Sequence, residues 1–175
     1  MKKIFIICSV VLSLVLAGCS NKEVEQKQQI TITSGKVNDA ITIGKELKTF
    51  VIKDQFGVEH TLTNKTKKVI FVFSKPTGHL MRTYMDKQPI DYLDTRDILF
   101  VADISGMPSI IAKMFAIPDM KKSKYPILLT TNKETSQIFK VASQKDAIMI
   151  ITLDNKIVKK VQFVTTKEDI KKAID

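Results

Sequence analysis

The chain has 175 residues, a formal net charge of +10 and no tryptophan. Only Arg82 and Arg96 are arginines among its 28 basic residues, whereas bidentate recognition of phosphates and bases relies mainly on arginine. The composition therefore argues against nucleic acid as a partner and favours a solvated, lysine-rich surface. As an alternative, three lysine runs offer contacts to anionic lipid or a cell-wall polymer, at 121–124, 159–160 and 171–172.

Residues 1–18 have the layout of a secretory signal. Two lysines are followed by an apolar run that ends near Leu16 and is too short to span a bilayer. The run closes with Leu16-Ala17-Gly18-Cys19, which resembles the lipobox of bacterial lipoproteins. That resemblance implies cleavage before Cys19 and attachment to the membrane through a diacylglycerol and an acyl chain on that residue. It also implies a lipid-anchored protein of the cell envelope, with its domain facing the periplasm or the outer surface.

Cysteine usage restricts the chemistry of the folded part. The lipobox resemblance implies that Cys8 is removed with the signal and that Cys19 carries the lipid, and no cysteine follows Cys19 in the sequence. Disulfides, thiolate nucleophiles and cysteine-ligated metals are therefore excluded from the domain by composition.

We predict a lipidated N-terminus and flexible tether over residues 19–43, with a marginal strand between 30 and 43, and a folded domain over 44–175. An alternating or continuous apolar pattern predicts the strands, at 48–53, 58–62, 68–74, 97–102, 126–131, 147–153 and 157–164. Apolar positions at helical spacing predict helices over 78–87, from 107 to a stop at Pro118, and over 133–141. Thr165 and Glu168 form a candidate capping box for a last helix.

The order of these elements predicts the fold class. Alternating strands and helices indicate a mostly parallel sheet covered on both faces. The turn Asp54-Gln55-Phe56-Gly57 indicates a hairpin at the start of the domain. A second tight turn, Asp154-Asn155-Lys156, joins the last two strands before the final helix, so part of the sheet is antiparallel.

Three phrases in this order resemble the thioredoxin-like superfamily, in its extracytoplasmic peroxiredoxin-like, TlpA-like or YtfJ-like branch. They are Gly44 to Phe50 leading into Asp54–Gly57, Tyr125–Leu129 followed by Phe139-Lys140-Val141, and Ala147–Leu153 followed by Asp154–Val158. The resemblance implies an α/β fold, a three-layer thioredoxin-like sandwich with a mixed central sheet, an N-terminal β-hairpin and a C-terminal ββα unit.

The chain departs from that superfamily at its redox site. Active members carry cysteine where the first long strand meets its helix, and here that junction reads Phe73-Ser74-Lys75-Pro76-Thr77-Gly78-His79. Their cis-proline is also missing, since Gln144-Lys145-Asp146 precede the late strand. We therefore expect a binding rim in place of a redox site, formed by Lys75, Pro76, Thr77, Gly78 and His79 with Asp103 and Ser105 from the loop after the second buried strand.

Other interpretations of these residues remain open. Ser74, Thr77 and His79 are a candidate oxygen nucleophile with its base, although Thr77 is more simply a helix N-cap and His79 an exposed first-turn residue. Ser105 is a helix N-cap or a loop residue. The methionines at 81, 85, 107, 114 and 120 offer soft ligands for copper, but His60 and His79 lie on different elements and give no ligand pair.

The sequence thus predicts a cell-envelope lipoprotein whose redox-inactive thioredoxin-like domain serves binding or assembly. Its partner would be an envelope protein or a wall polymer, and we predict neither a cofactor nor a metal site. The alternative is an oxidoreductase-like enzyme that uses bound copper or a cofactor in place of thiols.

Overall fold

The computed structural model describes residues 29–175, so the predicted signal, Cys19 and most of the predicted tether lie outside the described residues. A six-stranded mixed sheet forms the centre, in the order β1-β8-β7-β4-β5-β6. Its strands are β1 Ile30–Ile32, β4 Lys68–Val72, β5 Ile98–Asp103, β6 Leu128–Thr130, β7 Ile148–Asp154 and β8 Ile157–Val164. A separate antiparallel hairpin consists of β2 Val51–Lys53 and β3 Glu59–Thr61.

Helices cover both faces of this sheet. They are α1 Lys75–Met85, α2 Ser109–Ile111, α3 Ile117–Met120, α4 Lys133–Phe139 and α5 Lys167–Ile174. A π-helical turn, Ala112–Ala116, joins α2 to α3, and we call the continuous run of 12 residues helical segment 109–120. Short 3-10 turns lie at Asp94–Arg96 and Ala142–Gln144.

Strand β4 divides the core into two layers. Its side chains alternate, so Ile70 and Val72 pack in the cluster that contains residues of α1 and α5. Val69 and Phe71 pack on the opposite face with residues from the hairpin and α4. Strands β4, β5 and β6 are parallel, whereas β7, β8 and β1 are each antiparallel to their neighbours. The predicted three-layer α/β fold with a mixed sheet is confirmed.

Pro118 does not end the second helix as predicted. Because proline has no N–H, an α-helix around it would leave a carbonyl four residues earlier without its donor. The π-helical turn lies directly before this position, with the N–H of Ile117 donating to the carbonyl of Ala112. The altered hydrogen-bond pattern lets the helical run continue through Pro118 to Met120.

Two helix starts also differ from prediction. Helix α1 begins at Lys75, three residues before the predicted position, because Ser74 caps it and Pro76 suits its first turn. Helix α5 is capped by Thr166, whose hydroxyl accepts from the N–H of Asp169 at 3.1 Å. The predicted box of Thr165 and Glu168 is therefore wrong by one residue.

The folded unit begins before the predicted boundary at Gly44. The predicted marginal strand exists as β1, which pairs with β8 through Ile30 and Phe163. Ile41 is fully buried in the core beneath this side of the sheet. Residues 30–43 therefore belong to the domain, because their apolar side chains cover a sheet face that would otherwise meet water.

Replacing Ile41 with alanine tests this correction. We expect Ile41→Ala to lower the free energy of unfolding by about 2–5 kcal/mol, as for other large-to-small changes in cores. The control Ile90→Ala removes a largely exposed side chain and should change it by less than about 0.5 kcal/mol. Urea denaturation measures both, and equal effects would mean that residues before Gly44 contribute nothing to the domain.

Candidate functional site

The junction between β4 and α1 is held by a capping box. The N–H of Ser74 donates to Thr77 Oγ1 at 3.2 Å, and Thr77 Oγ1 donates to the carbonyl oxygen of Ser74 at 2.9 Å. The Ser74 hydroxyl accepts from the N–H of Thr77 at 3.5 Å. These contacts satisfy polar groups that a helix N-terminus would otherwise leave unpaired.

This arrangement corrects two interpretations of Thr77. Ser74, not Thr77, is the N-cap, and Thr77 is buried at the third helical position, so it does not contribute to an exposed rim. The Ser74 and Thr77 hydroxyls contact each other at 3.1 Å. His79 lies two residues further along α1 and is exposed. The hydrogen bonds of both hydroxyls therefore serve the cap, and the geometry does not favour the nucleophile interpretation.

An open cleft of about 500 Å³ lies beside this junction. Its walls come from the start of α1, the end of β5 and helical segment 109–120. Four of the predicted rim residues line it, namely Lys75, Gly78, His79 and Asp103. Pro76, Thr77 and Ser105 are not among the lining residues, and Ser105 lies in the loop before α2 without capping that helix.

Most of the cleft wall is apolar and was missed from the sequence. Strand residues Val72 and Phe100 contribute from the sheet, and Met107, Ile111, Phe115 and Met120 contribute from the loop and helical segment after β5. From the sequence, the stripe of apolar positions at helical spacing in this segment predicts a helix and does not distinguish a core face from a contact surface. The chain offers no local signal that the stripe would border a cleft, because the opposite wall is about 35 residues earlier on α1.

One ion pair joins the two walls of the cleft. Arg82 Nη1 on α1 donates to Asp119 Oδ2 on α3 at 2.6 Å. The hydrogen bond that Arg82 donates to Asp119 raises the pKa of Arg82, and the hydrogen bonds from Arg82 and Lys122 lower the pKa of Asp119. Both side chains are partly exposed, so this pair contributes little to the stability of the fold.

Asp103 is a positioning residue at the end of β5. Its carboxylate accepts from the Ser136 hydroxyl at 2.6 Å and from the N–H of Ser105 at 2.9 Å. Lys140 Nζ lies 3.9 Å away. Burial alone would raise the pKa of Asp103, but the hydrogen bonds and Lys140 outweigh it and lower that pKa. Asp103 is therefore ionised at neutral pH and holds the loop after β5 against α4.

The side chains considered for copper are scattered. Met81 and Met85 are fully buried in the core, whereas Met107 and Met120 line the cleft with His79. His60 lies in the hairpin and contacts Asp54 Oδ2 at 2.9 Å. Within residues 29–175, no group of three or more histidine, cysteine, aspartate or glutamate side chains is arranged to hold a metal ion.

Comparison with known proteins rests on solved structures, because no family model and no curated protein matches the chain. A candidate protein disulfide isomerase from Bacteroides thetaiotaomicron superposes with a TM-score of 0.53 at 18% identity, covering 77% of this chain and 86% of its own. A candidate thiol:disulfide interchange protein DsbE from Chlorobium tepidum gives 0.52 at 15% identity, covering 77% of this chain and 96% of its own. The fold is thioredoxin-like. At these identities the likeness establishes the fold alone.

Within this thioredoxin-like fold, the cleft lies at the strand-to-helix junction. Residues 29–175 contain no cysteine, and Ser74 is the residue that precedes α1 at this junction. No peptide bond in the same range is cis. As for membrane crossing, none of the helices between 29 and 175 combines the required length and apolar character.

The Asp103 network predicts a pH-dependent contribution to stability. A carboxylate with a lowered pKa stabilises the fold above its ordinary titration range, and this contribution is lost as pH falls through the folded-state pKa. We expect Asp103→Asn to lower the free energy of unfolding by about 1–3 kcal/mol at neutral pH. The difference in free energy of unfolding between Asp103→Asn and the unmodified chain should become smaller at acidic pH.

Urea denaturation over a pH series measures this gap, with Asp146→Asn as a control on an exposed carboxylate. A gap that stays constant from neutral to acidic pH would contradict the assigned role of Asp103.

Proposed function

We propose that the protein is a cell-envelope lipoprotein whose thioredoxin-like domain is redox-inactive and binds a partner through the cleft. One observation carries this proposal. The cleft beside the β4–α1 junction is open and largely apolar, while Ser74 and Thr77 use the helix N-terminus for a capping box.

The chemistry of a helix N-terminus explains why a serine at position 74 behaves differently from a cysteine. Such a position lowers the pKa of a thiol and stabilises its thiolate. A serine hydroxyl gains no comparable reactivity, and the Ser74 hydroxyl is engaged with Thr77. The junction therefore retains its shape without its nucleophile.

The cleft has the size and composition of a recognition site. Binding clefts usually measure about 300–1,000 Å³ and combine apolar walls with a few polar groups. Here Val72, Phe100 and Ile111 supply apolar wall, and Lys75 and His79 supply polar groups at the start of α1. This arrangement supports binding of a partner side chain or segment with an apolar body.

The copper alternative gains no specific support. Two of its candidate methionines, Met81 and Met85, are in the core. The soft donors that line the cleft are Met107, Met120 and the imidazole of His79. Thioethers with one imidazole form an incomplete set for the copper sites that proteins use in electron transfer.

Two activity assays test the redox-inactive part of the proposal. We expect the purified chain to reduce neither a disulfide substrate in the presence of a thiol reductant nor a peroxide, because residues 29–175 contain no thiol. A thioredoxin assayed in parallel confirms that the conditions support turnover. Robust, enzyme-dependent turnover of either substrate would overturn the proposal.

Cross-linking tests the binding part. Lys75 lies at the start of α1 and Lys87 just beyond its end, and both are exposed. We expect a photocrosslinker carried by Lys75→Cys to capture a specific envelope component in isolated membranes, and one carried by Lys87→Cys to capture much less of it. The same products at equal yield from both positions would place binding outside the cleft.

Filling the cleft provides a second control for the same experiment. A Cβ added at Gly78 would meet only the Val72 side chain, at 4.0 Å, and helix propensity favours most residues over glycine. Gly78→Leu in the Lys75→Cys background should therefore fold and lower the yield of captured partner. Undiminished capture would show that the cleft itself is not occupied.

A further inference from the structure

Helical segment 109–120 carries an exposed apolar surface next to the cleft. Ile110, Met114 and Phe115 are 67%, 64% and 62% exposed, and Ile111 is 44% exposed. Ile111 and Phe115 also line the cleft. These four large apolar side chains lie within six residues, at spacings that bring them to neighbouring positions on a helix surface. Exposed apolar groups of this kind often mark an interaction surface. We call these four residues the apolar patch.

A lysine lies within the apolar patch. Between Asp103 and Asp119 the chain contains no acidic residue, and Lys113 is its only charged side chain. Lys113 is exposed among the apolar residues. The nearest acidic residue of the segment, Asp119, is paired with Arg82. An apolar face that carries an exposed lysine suits the interfacial region of a bilayer, where lipid headgroups are zwitterionic or anionic.

Strand register shows at which end of the sheet the chain enters the domain. Ile30 pairs with Phe163, Phe163 pairs with Met149, and Met149 pairs with Phe71. Phe71 is next to the last residue of β4, which leads directly to the junction beside the cleft. The first described residues therefore lie at the end of the sheet that carries the cleft and the start of helical segment 109–120.

The length of chain before this point limits its distance from the membrane. Nine residues, 20–28, separate Cys19 from Gln29. The ten chain steps from Cys19 to Gln29 span at most about 36 Å when fully extended. If Cys19 carries the lipid, the end of the sheet with the cleft stays within that reach of the bilayer. Such tethering raises the effective concentration of the apolar patch at the membrane surface.

We propose that the apolar patch docks into the headgroup region of the bilayer that holds the lipid anchor. This inference rests on the proposed lipoprotein function. It identifies a lipid surface as the partner of helical segment 109–120, which forms one wall of the cleft. The side chains at 110, 111, 114 and 115 enter the interface, and Lys113 contacts lipid phosphates. The cleft then opens toward the membrane surface.

Tryptophan fluorescence tests the docking directly, because the chain has no tryptophan of its own. Phe115→Trp places a single emitter in the apolar patch. Ile90→Trp places one at a comparably exposed apolar position, 68% against 62%, in the connection between α1 and β5 at the opposite end of the sheet. Both variants are prepared as the lipidated chain.

The variants are inserted into vesicles of phosphatidylethanolamine and phosphatidylglycerol, with and without brominated acyl chains that quench nearby tryptophan. We expect Phe115→Trp to show a blue-shifted emission and loss of intensity with brominated lipid, and Ile90→Trp to show neither. Adding Ile111→Ser and Met114→Ser to Phe115→Trp should reverse most of the quenching.

Vesicle flotation separates failure of this inference from failure of the proposed function. A chain that floats with vesicles while Phe115→Trp stays unquenched would overturn the docking and leave the lipid anchor intact. Equal quenching of both tryptophans would also overturn it, because the orientation would then be random. A blue shift that appears only after envelope proteins are added would assign the apolar patch to a protein partner.

Discussion

The burial of β4 on both faces is the constraint on which the rest of the structure depends. Ile70 and Val72 pack toward α1 and α5, and Val69 and Phe71 toward the hairpin and α4. A strand buried in this way needs helices or loops on both sides, since each exposed face would leave large apolar side chains in water. The turn from β4 into α1 therefore forms at the end of the sheet where the C-terminal end of the parallel strand β5 also lies.

That position gives the site its character. Because β4 and β5 are parallel, the segments that follow them lie at the same end of the sheet, where they line the cleft. Here the Ser74–Thr77 capping box satisfies the N-terminus of α1 at this end of the sheet, and the Asp103 carboxylate accepts a hydrogen bond from Ser136. Both polar features stabilise structure, and recognition is left to the apolar wall and the exposed ends of Lys75 and His79. The apolar patch continues this wall along helical segment 109–120.

Sequence patterns predicted the elements well and their ends less well. The continuous apolar runs at 68–74 and 97–102 identified β4 and β5, because residues buried on both faces leave no polar alternation. The rim was predicted from the resemblance of the β4–α1 junction to a redox site, and Lys75, Gly78, His79 and Asp103 line one cleft in the structure. A binding role for these four residues stays a prediction. The assignment of Thr77 to the rim was wrong. Its burial results from packing beneath α1, which the local sequence does not reveal. The sequence did not identify Phe115 and Met120 as cleft wall, because helical spacing is the same for a core stripe and a cleft wall.

Composition and local pattern alone determined the absence of a thiol after Cys19, the succession of strands and helices, and the positions of most turns. These properties depend on residue identity or on neighbours a few positions apart. The tertiary structure decided the burial of Ile41, the ion pair between Arg82 and Asp119, and the location of Ile30 at the end of the sheet with the cleft. Each of these depends on contacts between distant parts of the chain, and such contacts exist only once the sheet has assembled and its register is set.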